Sequence, residues 1–109
     1  MNASERLLKY VAVSTPSSPK GEGTPSTACQ FDLAHLLADE MRAMGFVNVR
    51  VTDTCFVYGD LPATPGLEGL PCLGLIAHMD TAPAFNGVGV KPQIIPNYDG
   101  GDVTLAGSG

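Results

Sequence analysis

The chain has 109 residues, 44% hydrophobic and 16% charged, with a formal net charge of −5. This allows one small core and not two domains. No apolar run approaches the roughly 20 residues of a membrane span, the start lacks the basic onset and apolar middle of a signal peptide, and no basic cluster can track phosphates, so the expectation is a cytoplasmic protein with neither nucleic acid nor membrane as a partner. Cys29, Cys55 and Cys72 are odd in number and far apart, without the close pairs of a zinc ribbon or redox motif. They are expected as free thiols used as small buried residues.

In chain order, Ser4 can cap a helix whose apolar positions Leu7, Leu8, Val11 and Ala12 recur at helical spacing, ending near Val13. Ser14 to Gly23, rich in proline, glycine and small hydroxyl residues, marks a surface loop. A second helix follows. Thr24-Pro25 offers an N-cap with proline at the first helical position, and Thr27 with Gln30 offers a capping box if the start falls later. Phe31, Leu33, Ala34, Leu37, Ala38, Met41 and Met44 form its apolar stripe, and Gly45 suits a left-handed C-cap. His35 falls on the solvated side or its border, without the clustered partners a metal site needs.

Phe46 to Val51 alternates and is β-branched, the pattern of a strand with one buried face. After a turn at Asp53-Thr54, Phe56 to Leu61 forms its hairpin partner, until Pro62 and the loop Ala63 to Pro71 interrupt pairing. The apolar run Cys72 to Ala77 then predicts a central strand buried on both faces. At its end His78 and Asp80 lie two apart, so in extended backbone they leave the same face. That is the edge of an α/β sheet where reacting groups collect. A neutral imidazole is a good zinc ligand, and a carboxylate on its other nitrogen fixes the tautomer and raises its basicity. The same tripeptide also suits a strand-end histidine bonded to backbone, with Asp80 capping a turn. Beyond Pro83, Lys91 to Ile95 predicts a short extended piece, Asp99-Gly100-Gly101-Asp102 a turn, and Val103 to Leu105 the start of a returning strand. Ala106 to Gly109 then looks like an interruption.

Ile76-Ala77-His78-Met79-Asp80-Thr81-Ala82-Pro83, followed by Asn86-Gly87 and Val90-Lys91-Pro92-Gln93-Ile94-Ile95, resembles the peptidase T family, tripeptide aminopeptidases of the two-zinc exopeptidase clan. Thr24-Pro25-Ser26-Thr27 with Gln30 upstream, and Asn97-Tyr98 with Gly100-Gly101-Asp102 downstream, extend the resemblance over nearly the whole chain. It implies that residues 1–109 are the opening part of a longer catalytic domain, an α/β sandwich with a mixed sheet. It implies that His78 is a zinc ligand, that Asp80 is the catalytic-site partner orienting it, and that a short peptide is the substrate. The Ser14 to Gly23 loop would approach the active-site side, and residues 81–89 would lie beside the metal centre.

The family's Gly-x-Asp-Asp motif, Glu-Glu pair and later carboxylate and histidine have no counterpart here. The resemblance therefore assigns one zinc ligand of a two-zinc site and no general base. The chain alone is expected to be inactive, with uncovered edges inviting self-association. Ala84 departs from the acidic residue that often follows the proline in related sequences. Two alternatives accompany this reading: a related two-zinc amidohydrolase or carboxypeptidase sharing His-x-Asp, and a non-catalytic binding or assembly module.

Overall fold

A computed structural model describes residues 1–105 and 107. Helix α1 (Ala3–Tyr10) is capped by Asn2, not Ser4. Asn2 Oδ1 accepts from the Glu5 amide at 2.9 Å, and Glu5 Oε2 accepts from the Asn2 amide at 2.8 Å. This reciprocal box satisfies two otherwise orphaned donors, whereas the Ser4 hydroxyl only donates to Asn2 Oδ1. The helix closes at Tyr10 with Val11 as C-cap, short of the expected Val13.

Helix α2 (Gln30–Ala43) begins later than both expected starts, with Cys29 at the N-cap position. The reason is visible at Thr27. Its hydroxyl donates to the Pro16 carbonyl at 2.6 Å and accepts from the Gln30 side chain at 3.0 Å, so it caps no backbone amide. Tight turns from Gln30, Phe31 and Asp32 back to Thr27, Ala28 and Cys29 lead into the helix instead. At the other end the prediction holds. Gly45, at φ +88°, donates to the Arg42 carbonyl while the Phe46 amide reaches Met41, the paired bonds of a Schellman motif.

Strands β1 (Val47–Val51) and β2 (Val57–Asp60) form the expected antiparallel hairpin. Arg50 faces Tyr58 and Val51 faces Val57, and an irregularity between Val47 and Arg50 shifts the register so that Val47 faces Asp60. Asn48 takes up this irregularity at φ +53° and bonds Asp60 at 2.9 Å. Arg50 lies over the Tyr58 ring, 4.5 Å from its centroid. The turn is closed by Thr52, whose hydroxyl and backbone both engage Phe56. Helix α2 packs across both strands, and among the described residues Leu33, Ala34, Ala38 and Cys55 are the buried apolar ones. His35 is exposed, as expected, and stacks on Phe31.

Helix α1 is fastened to α2 by one carboxylate. Glu40 accepts from Arg6 at 2.7 Å, from Lys9 at 2.6 Å and from the Tyr10 hydroxyl. The hydrogen bonds from Lys9 and Tyr10, with that from Arg6, hold the Glu40 carboxyl down at about 2, against an opposing effect of burial.

The second half of the chain departs from expectation. Residues 72–77 join no ladder, and Leu73, Leu75 and Ile76 are 81, 88 and 101% exposed. A doubly buried strand needs sheet neighbours and covering helices, and the described residues supply only a two-stranded sheet. Residues 91–95 and 103–105 likewise form no strand. The Asp99 to Asp102 turn is present, with Gly100 at φ +91° and the Gly101 amide bonded to Asp99. Ala106, Ser108 and Gly109, in the stretch expected to mark an interruption, lie outside the described residues. The radius of gyration is 17.4 Å, against about 13 Å for a compact domain of this length, so the later segments add reach and not core. The result is a small mixed α/β unit with an extended arm.

All three cysteines are free thiols, but only Cys55 is buried. Cys29 is half-buried and Cys72 exposed, because Cys72 begins the arm that lacks a covering layer. Alkylation under native conditions followed by mass spectrometry should modify Cys72 first and Cys55 last. Slow labelling of Cys72 would contradict the exposed arm. The Glu40 carboxyl, lowered on folding, stabilises the fold fully above its ordinary value near 4.5 and loses that contribution as pH falls through about 2. Melting temperatures from pH about 5 to about 2 should therefore fall more steeply in the wild type than in Glu40→Gln. Parallel curves would rule out the clasp as a source of acid sensitivity.

Candidate functional site

The extended arm delivers His78 and Asp80 to the same side, as their spacing predicts. His78 Nδ1 lies 3.0 Å from Asp80 Oδ1. The His78 side chain is 85% exposed and Asp80 is less so, at 38%. The Asp80 carboxyl sits below its ordinary value, chiefly through the His78 hydrogen bond, with the Ser17 hydroxyl adding to it and slight burial opposing. A carboxylate on Nδ1 favours the tautomer that leaves Nε2 unprotonated and available to a metal or a proton.

The backbone behind the pair is held by the loop that sequence reasoning left without a role. Thr81 donates to the Thr15 carbonyl and accepts from the Ser17 amide, both at 2.9 Å, which makes a parallel bridge between Pro16 and Thr81. The Ser17 hydroxyl adds a third bond to the Thr81 carbonyl at 3.2 Å. Thr15 is buried at 3% exposure and Gln30 at 8%. Ser26 Oγ accepts from the Ser18 amide at 2.9 Å, so the loop is tied again to the approach of α2. Of residues 14–23, Thr15 and Ser17 are bonded to Thr81, next to Asp80. Of residues 81–89, Thr81 bonds Thr15 and Ser17, and Gly87 contributes to the groove below.

A groove of about 830 Å³ opens between the helices, the hairpin and the arm. Tyr10, Leu37, Met41 and Val57 line one side, with Ile76 and His78 on the other. Among the described residues, no group of three or more His, Cys, Asp and Glu side chains is arranged to hold a metal ion. The donor chemistry nevertheless fits one ligand position, an imidazole whose second nitrogen meets a carboxylate. Among the described residues, no helix is long and apolar enough to cross a membrane.

No family model matches the chain. Over 105 residues, 95% of its length, it is 44% identical to the peptidase T of Alkaliphilus oremlandii. Over 101 residues, 93% of its length, it is 44% identical to that of Geobacillus kaustophilus and 46% identical to that of Desulfitobacterium hafniense. The chain is a peptidase T relative. It spans about a quarter of the length of these peptidase T proteins, 24 to 26%. The resemblance carried by residues 76–83 and their flanks thus extends, at this level of identity, across nearly the whole chain.

Sequence reasoning missed Thr27, Pro16 and Ser17 as supports of the pair, and Glu40 as the clasp of α1. Thr27 and Gln30 carried a partial signal in their capping-box spacing. Glu40 carried none, since its partners lie 30 to 34 residues away.

Proposed function

We propose that the chain is the opening part of a peptidase T-like aminopeptidase that removes the N-terminal residue of tripeptides with the help of zinc. The observation that carries this reading is 44 to 46% identity to peptidase T proteins over nearly all of the chain, together with a histidine–carboxylate pair at 3.0 Å within the matching motif. In the same reading, α1, α2, the hairpin and the arm belong to a larger α/β sandwich with a mixed sheet.

His78 would hold zinc through Nε2, because Nδ1 faces Asp80. Zinc, when bound, would polarise the scissile carbonyl and make water a better nucleophile near neutral pH. Asp80 would keep the imidazole in one tautomer and one orientation. The exposure of the His78 ring leaves room for a peptide and for the further ligands and base that a longer polypeptide must add. The chain by itself would be inactive, since it offers one ligand where a catalytic zinc needs about three. A cytoplasmic setting suits an enzyme of this kind with three unpaired thiols.

In the longer enzyme, His78→Ala should remove bound zinc and tripeptide hydrolysis together, and Asp80→Asn should lower metal affinity or turnover by about 10- to 100-fold. Wild-type zinc content and turnover in His78→Ala would sink the ligand assignment. Preferential cleavage of acyl-amino acids over tripeptides would favour the related amidohydrolase instead.

A further inference from the structure

We infer that Thr27 is a positioning residue for the His78–Asp80 pair, acting through Pro16 and Thr81. The functional meaning of this inference rests on the reading of His78 and Asp80 given above, while its geometry stands apart from it. Thr27 lies just before α2 yet does not cap it, since the N-cap position belongs to Cys29 and carries no side-chain cap. Its hydroxyl proton goes to the Pro16 carbonyl at 2.6 Å, and its oxygen accepts from Gln30 Nε2 at 3.0 Å and from Cys29 Sγ at 3.4 Å. The Gln30 side chain that supports it is itself buried.

Pro16 is the middle residue of the strap whose neighbours grip Thr81. Thr15 takes the Thr81 amide and Ser17 gives its amide to the Thr81 carbonyl. Among the described residues, no other backbone hydrogen bond joins residues 72–81 to residues 1–60. The arm that carries His78 and Asp80 therefore has its hydrogen-bonded anchor one residue past Asp80, and that anchor is fixed to the helical body at Thr27. A threonine used only for helix capping would bond an α2 amide and leave the arm alone. Here the hydroxyl is spent on the strap.

The test is nuclear magnetic resonance on the isotopically labelled chain, reading the ring nitrogens of His78 and hydrogen exchange at Thr81. In the wild type, His78 should carry its proton on Nδ1, and Asp80→Asn should weaken that preference. Thr27→Val, which keeps the shape and removes the hydroxyl, should raise exchange of the Thr81 amide about tenfold and shift His78 toward a mixture of tautomers. Thr27→Ser should restore both. Wild-type exchange and tautomer in Thr27→Val would overturn the inference. A wild-type His78 with no Nδ1 preference, or one indifferent to Asp80→Asn, would instead overturn the pairing itself. If Thr27→Val does not fold, exchange in the wild type decides. The Ser17 and Thr81 amides must open together, and unrelated protection at the two would defeat the strap.

Discussion

One carboxylate holds the first helix to the rest of the molecule. Glu40 sits on α2 near the buried Ala34 and Ala38, small side chains that offer little apolar area to capture a second helix. Helix α1 has no buried residue of its own. Its attachment is therefore polar, with Arg6, Lys9 and Tyr10 converging on the two oxygens of Glu40. Exposed ion pairs contribute little singly, but this carboxylate is only 11% exposed and its donors come from one helical face, so they act as a group. Leu7 of α1 is left exposed at the groove.

The same division of labour recurs at the other end of the structure. The arm with His78 and Asp80 has little apolar burial to hold it: Leu73, Leu75 and Ile76 are exposed, and Met79 is only half-buried. The Thr81 amide donating to Thr15 and the Ser17 amide donating to Thr81 do the holding, and Thr27 ties that strap to the start of α2. A functional pair can be exposed and still be held in register when the constraint acts on the backbone beside it. This is how an open imidazole can keep a fixed partner at 3.0 Å.

Local structure was legible where it depends on near neighbours. The stripe of α2, the glycine at its C-terminus and the alternation of the hairpin are short-range signals, and all three appear in the fold. The alignment of His78 with Asp80 needed only extended backbone, which is why it survives although the predicted strand does not form. The strand itself was not a local matter. Residues 72–77 have the composition of a buried strand, but burial requires other strands and helices that the described residues do not provide. Cys72 was misjudged for the same reason. The start of α2 failed differently, because Thr27 had a distant partner in Pro16 that outcompeted the cap.

The hairpin register, with its irregularity at Asn48, and the packing of α2 over it involve residues close together in the chain. Contacts of that kind close small loops and cost little chain entropy, so residues 30–60 are the part best able to organise early as a polypeptide forms. Helix α1 must then be captured across 30 to 34 residues, and the Ser17 to Thr81 link across 64. The sequence separation of these contacts thus grows outward from the middle of the chain. The pair at His78 and Asp80, last to be synthesised among these pieces, is seated on a platform able to form before it.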